Sequence, residues 1–224
     1  MPFGRPFLTV FFTQGDYLGM TFEKNMRPSV KLERQLRQNE ALYREACAVF
    51  GGAPRVFRHY HPAAEMSVDL LTGTDTPQQG AVSCATLGMM HYPVGQRAGE
   101  KPLRFEIAGA CLAEYEYFPD LVSDCAMRIM AAQEKCYKGA VLNEVVRQYL
   151  PGSRMHHVLL APFSLWERPL GGQAFDDVCV QWLTVLLISS AERDYLTENG
   201  LDALLCRLAA HRASLLNPLR DEAV

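Results

Sequence analysis

Eleven consecutive residues, Val178 to Ile188, restrict the fold more than any other part of the chain. Read in alternation, one set is Val178, Val180, Trp182 and Leu186 and the other is Cys179, Leu183, Val185 and Leu187, and both are apolar. A strand with two apolar faces must be covered on both sides. The chain therefore needs a sheet with other elements packed against each face. Immediately afterwards, Ser189-Ser190-Ala191-Glu192 has the spacing of a capping box, in which Ser189 accepts from the backbone N–H of Glu192 while the glutamate reaches back. A helix is expected to start there and to stop at Gly200.

The remaining elements follow from periodicity and punctuation. Helix formers dominate from Ser29 to Phe50, and Gly51-Gly52 supplies a stop. Val56 to His61 and Met66 to Leu70 form two strands of a hairpin. Gly73 to Gly80 is a loop, Ala81 to Leu87 a strand, and Pro93 to Pro102 a broad loop. In Leu103 to Ala108, Phe105 and Ile107 alternate with Arg104 and Glu106, which predicts a half-buried strand with one wet face. From Pro119 a stripe of Leu121, Cys125, Ile129, Ala132 and Cys136 predicts an amphipathic helix of about five turns. Val158 to Phe163 is a short buried run. After Gly200 a last helix buries Leu201, Leu204, Leu205, Leu208 and Leu215, with a frayed tail expected beyond Pro218. The sum is an α+β fold: one domain with a mixed, mostly antiparallel sheet and helices packed against it, the first helix and the last two covering the central strands.

Composition narrows the function classes. With 224 residues, 49% of them hydrophobic, the chain buries a substantial core without disulfides or metals. A net charge of -3 and a pI near 6.1 offer no attraction to phosphate backbones, so nucleic acid is not an expected ligand. The seven cysteines are odd in number, irregularly spaced and without a CxxC pair, which suits free thiols in a reducing cytoplasm. No stretch reaches the roughly 18 to 20 apolar residues of a membrane helix, and Phe7 to Phe12 is too short for a secretory core. Met20 and Met26 are alternative starts, which would make the first two dozen residues an addition.

Several local sequences resemble the suppressor-of-fused domain family: Val82-Ser83-Cys84-Ala85-Thr86-Leu87-Gly88-Met89, Arg104-Phe105-Glu106-Ile107-Ala108 and His157-Val158-Leu159-Leu160-Ala161-Pro162. The most specific block is Val180-Gln181-Trp182-Leu183, Ile188-Ser189-Ser190-Ala191-Glu192 and Asn199-Gly200-Leu201-Asp202-Ala203-Leu204-Leu205. The resemblance runs from about Val30 to about Arg212 and departs from the pattern at Leu187, where a proline commonly precedes the isoleucine. It implies an N-terminal extension over residues 1–27, a suppressor-of-fused-like domain over 28–216 and a C-terminal tail over 217–224. It marks a fold and not a catalytic signature. Animal members of the family restrain a transcription factor, and bacterial members resemble immunity proteins that neutralise a toxin. The compact chain is similar to the bacterial type, so the resemblance implies a cytoplasmic, non-catalytic inhibitor with a cognate toxin domain as partner and no cofactor. The alternatives are a regulator that grips an extended peptide by strand addition, and an uncharacterised enzyme or metal protein.

Several individual residues are candidates for chemistry. His59 and His61 share a strand face, with His156, His157 and Cys84 as conceivable further ligands, but no second local pair has metal-site spacing and no metal is assigned. Glu65 with Asp69, and Glu114 with Glu116, could be cast as acid and base; a solvated edge or loop is the plainer account. Glu114-Tyr115-Glu116-Tyr117 combines charge and aromatic area and is the candidate surface for a basic patch on a protein partner. Trp166, in a Pro- and Gly-bounded loop, is expected to close the core. No GxSxG, HExxH or phosphate-cradling glycine loop is present.

Overall fold

The structure is a computed structural model that describes residues 8–12, 29–61, 66–132, 134–211 and 214–224. Its centre is a ten-stranded mixed sheet: β1 (Leu8–Phe12), β2 (Arg55–His61), β3 (Met66–Thr74), β4 (Ala81–Leu87), β5 (Gln96–Ala98), β6 (Lys101–Leu112), β7 (Ala140–Leu142), β8 (His157–Ala161), β9 (Gln173–Ala174) and β10 (Cys179–Ile188). The order is β1-β2-β3-β4-β6-β10-β8-β7, with β5 on β6 and β9 on β10. The β6–β10 pair is parallel, Leu183 opposite Ile107, and the remaining pairings are antiparallel. Four α-helices are described: α1 (Val30–Phe50), α2 (Phe118–Met130), α3 (Ser190–Asn199) and α4 (Leu201–Ala210).

The two apolar faces of β10 meet two separate cores. Val180, Trp182, Leu186 and Ile188 pack with Leu42, Ala46 and Phe50 of α1 and Leu204 and Leu208 of α4. Leu183, Val185 and Leu187 pack with Leu121, Val122, Cys125 and Ile129 of α2. Each fully buried side chain of this size stabilises the fold by about 1.5–3 kcal/mol relative to exposure. Helix α1 is started by Ser29, whose Oγ accepts from Leu32 N at 3.3 Å, and Gln38, Leu42, Ala46 and Phe50 form its buried i, i+4 stripe. Gly109 allows α2 to lie on the sheet, because a Cβ there would stand 2.9 Å from Phe118 Cζ and 3.1 Å from Val185 Cβ. The capping box at Ser189 forms as expected, with both reciprocal bonds present.

Five expectations are corrected. The alternation in β6 does not mark a wet face: the strand is covered on both sides, and Glu106 is 0% exposed. Helix α2 ends at Met130 because the backbone at Ala132 takes a positive φ of 56°, and Cys136 reaches the same core from the following loop. The loop from Pro93 to Pro102 contains β5, which folds back on β6 through a turn at Gly99-Glu100. Helix α4 ends at Ala210, and Leu215 joins the core from beyond it. The tail past Pro218 is tied down: Arg220 is 5% exposed, and the N–H of Ala223 donates to Glu192 Oε1 at 2.8 Å. Leu8–Phe12, to which periodicity assigned no element, pairs antiparallel with β2. No helix among the described residues is long and apolar enough to cross a membrane.

Candidate functional site

The turn from β6 into α2 carries the residues singled out as a contact surface. Leu112 N donates to Leu216 O at 3.0 Å and Tyr115 N to Leu112 O at 3.0 Å, so main-chain bonds fix the turn against the C-terminal segment. Glu114 and Glu116 point to solvent, while Tyr115 and Tyr117 are half-buried. The Tyr115 and Tyr117 rings meet edge-on at 6.1 Å, and Tyr117 stacks on Tyr149 at 5.7 Å. Tyr115 Oη donates to Asn217 Oδ1 at 3.3 Å. Burial, assisted by Glu114, pushes the Tyr115 phenol above its ordinary range. The four residues therefore form two exposed carboxylates on a rigid aromatic base.

Among the described residues, the histidines and acids singled out from the sequence do not gather into one cluster. His59 is 4% exposed on β2, its Nδ1 3.6 Å from Asp120 Oδ1, and burial lowers its pKa against the opposing charges of Asp120 and Asp69. Cys84 lies on β4 and His157 on β8, with β6 and β10 between them. Among the described residues no group of three or more His, Cys, Asp or Glu could hold a metal ion. Glu65 lies outside the described residues. Asp69 is not solvated: it is 8% exposed and accepts from Arg58 Nε at 2.7 Å and Nη2 at 2.9 Å across the β2–β3 pair. Beside it, a cleft of about 360 Å³ is lined by Gln35, Asn39, Asp69 and His91, and His91 Nε2 is already paired with Asn39 Oδ1 at 2.9 Å.

One arrangement that periodicity did not suggest has the outline of a nucleophile and its base. Ser190 Oγ is 3.1 Å from His157 Nε2, and Glu144 Oε1 is 3.6 Å from the same nitrogen. Glu144 N donates to His157 Nδ1 at 3.2 Å, and Arg193 Nη1 stands 3.5 Å from Nε2. The fixed positive charge of Arg193 beside the ring disfavours the imidazolium that a general base would become. Burial and the neighbouring Arg193 further lower the His157 pKa. The cysteines are no better placed. Burial pushes Cys111 and Cys136 up to about 12, and Cys84 and Cys125 higher still, so these thiols stay protonated.

Two buried acids do structural work that alternation concealed. Glu106 Oε2 accepts from Thr86 Oγ1 at 2.5 Å, and its Oε1 accepts from Gly88 N at 2.9 Å and Met90 N at 3.0 Å. It thereby caps the short 3-10 turn Met89–His91, which Gly88 enters at a φ of +96°. Burial without a cation raises the Glu106 pKa to about 7. Glu192, beyond its part in the capping box, receives both terminal nitrogens of Arg220 at 2.6 and 2.7 Å. The small residues that follow Glu106, Ala108-Gly109-Ala110-Cys111, were the available sign of a strand interior.

Trp166 closes the core as expected, 2% exposed, stacked on Phe50 at 5.3 Å and donating to Ser83 Oγ at 2.9 Å.

These features define the chain as an α+β protein built on one mixed sheet covered on both faces. It belongs to the Suppressor of fused protein (SUFU) family, whose model matches residues 64–221. Over 188 residues it is 28% identical to Immunity protein YqcF of Bacillus subtilis (strain 168), covering 84% of this chain and 98% of that protein. Its fold is similar to the structure described as the Sufu-Fu complex, with a TM-score of 0.60 at 10% identity, over 83% of this chain and 92% of that one. It is also similar to Drosophila Suppressor of Fused, with a TM-score of 0.60 at 9% identity, over 83% of this chain and 51% of that one.

Proposed function

We propose that the chain is an immunity protein: a non-catalytic cytoplasmic protein that neutralises a cognate toxin domain by binding it. The observation that carries this reading is the 28% identity to Immunity protein YqcF along 98% of that protein's length. Glu114, Tyr115, Glu116 and Tyr117 form the contact surface, the tyrosines supplying rigid apolar area and the glutamates charge that complements a basic patch.

The test is affinity capture of the tagged full chain from its native cytosol at moderate salt, with quantitative mass spectrometry. A single stoichiometric partner bearing a toxin domain is expected. Capture that returns nothing, even with toxin candidates co-expressed, overturns the reading. With the partner in hand, the double substitution E114A/E116A is expected to weaken binding roughly tenfold or more, mainly at low salt. Unchanged affinity would remove the assigned surface and leave the immunity reading intact.

A further inference from the structure

The β4–β6 ladder stops at the pair Ala85 and Ala108, and one residue later the hydroxyl of Thr86 takes over from the main chain. Thr86 Oγ1 accepts from Ile107 N at 2.9 Å, and it lies 3.2 Å from Ile107 O and 2.5 Å from Glu106 Oε2. Its single proton serves one of those two oxygens at a time. With the Glu106 carboxylate ionised, that proton goes to Oε2, and Ile107 O receives nothing from the hydroxyl. With the carboxyl protonated on Oε2, the acid donates to Thr86 Oγ1 and the hydroxyl turns its own proton to Ile107 O. The second arrangement has one more hydrogen bond, fills both lone pairs of Oγ1 and leaves no net charge in the core. In either state Oε1 accepts from Gly88 N and Met90 N. The site is built around a neutral acid.

Ionisation sends the Oε2 proton to solvent and leaves a charge on a side chain that is 0% exposed. Its neighbours do not balance that charge. From β10 the residue in register is Trp182, and from the loop after α2 comes Cys136, a thiol that burial and Glu106 itself push up to about 12. His91 is the titratable group of the turn Met89–His91, Lys31 and Asp177 act on it, and Asp69 is paired with Arg58. That turn stands between the carboxylate and water. Gly88 and His91 line the cleft of about 360 Å³ beside α1, and the N–H of Gly88 is bonded to Oε1 behind them. Gly88 enters the turn at a φ of +96°, and His91 Nε2 ties it to Asn39 Oδ1 of α1. Met89 and Met90 anchor it in the two cores, so its opening is a rare event whose frequency a buried charge can change.

We propose that Glu106 is a proton-operated latch: protonated and donating to Thr86 Oγ1 it holds the turn Met89–His91 closed against α1, and on ionising it lets the turn open to the cleft, where water solvates the carboxylate. The closed turn keeps the proton to about pH 7, whereas an open, solvated turn releases it near 4.5. Closure is therefore fully supported below about pH 4.5 and is lost as pH rises through about 7. The latch is independent of the immunity reading, and its test needs no partner.

The experiment uses the full-length chain labelled with ¹³C and ¹⁵N. The side-chain carboxyl carbon of Glu106, assigned through its bonds to the backbone, is expected to titrate near pH 7, where ordinary glutamates titrate near about 4.3. Opening of the turn is read from amide hydrogen exchange at Met90, as the ratio of wild type to E106Q. The substituted side chain keeps a donor toward Thr86 Oγ1 and an acceptor toward the turn at every pH, and the ratio cancels both the intrinsic pH dependence of exchange and the titration of His91. It is expected to rise at least about tenfold from pH 5 to pH 8. At pH 8 the Met90 amide of the wild type should also exchange at least about tenfold faster than the amides of β10, which marks local opening rather than global unfolding. A Glu106 signal that titrates near 4.3, a ratio that stays constant, or Met90 exchange no faster than that of β10 overturns the latch. The wild-type titration and the comparison with β10 decide the matter even where E106Q fails to fold.

Discussion

Glu106 has four hydrogen-bond donors and, among the described residues, no cation beside it, and that combination sets its pH behaviour. Burial disfavours its charge more than Thr86 Oγ1 and the N–H groups of Met90, Gly88 and Met89 restore it, so its pKa rises from 4.5 to about 7. Between those values the folded chain holds a proton that the unfolded chain has released. The associated stability is fully present below about pH 4.5 and is lost as pH rises through about 7, a swing of about 3 kcal/mol. His59, His91 and His157, whose pKa values burial lowers, act in the opposite direction as pH falls through about 6.5. The informative quantity is therefore the unfolding free energy of the wild type minus that of E106Q, measured in urea. It should grow by about 3 kcal/mol in favour of the wild type from pH 8 to pH 4.5; a flat difference would refute the account. Residue-level chemistry of this kind was not legible in Phe105-Glu106-Ile107, because alternation on a central strand looks the same whether its polar face meets water or a buried turn.

At the scale of elements, helix α3 and the C-terminal segment form one unit. The sequence specified the capping box, since the signal lies within four residues. It did not specify Arg220, which arrives from 28 residues further on. Arg220 is bidentate on Glu192 and also donates to Leu187 O at 3.0 Å, at the position where the family pattern commonly has proline. Ser153 Oγ holds the same segment through Pro218 O at 2.5 Å. Removing one partner of a buried ion pair leaves the other charge unpaired. R220M should therefore cost about 3–5 kcal/mol, and the double substitution E192Q/R220M should recover part of that loss, both read from urea midpoints. A loss below about 1 kcal/mol in R220M would show that the tail is not held by this pair.

Over the whole molecule, the sheet divides the interior into two cores, and the cysteines report on both. Cys84, Cys111, Cys125 and Cys136 are buried on the α2 side, Cys47 and Cys179 are partly covered, and Cys206 is exposed on α4. A thiol reagent should modify Cys206 quickly in the native protein and the four buried thiols only on global unfolding. Their protection should thus track the denaturant transition. Early modification of Cys125 would mean that α2 opens independently of the sheet.

Alternation and spacing alone determined that this is an α+β chain with a doubly covered strand and that helices start at Ser29 and Ser189, while the family was legible only through the resemblance of the local blocks around β4, β8 and β10. Those features are local, fixed by residues within a few positions of one another. The parallel β6–β10 pairing, the burial of Glu106 and the pairing of Arg220 with Glu192 were decided only by tertiary structure. Each depends on groups far apart in the chain, whose solvation and hydrogen bonding are set when the two faces of the sheet are covered and water is excluded.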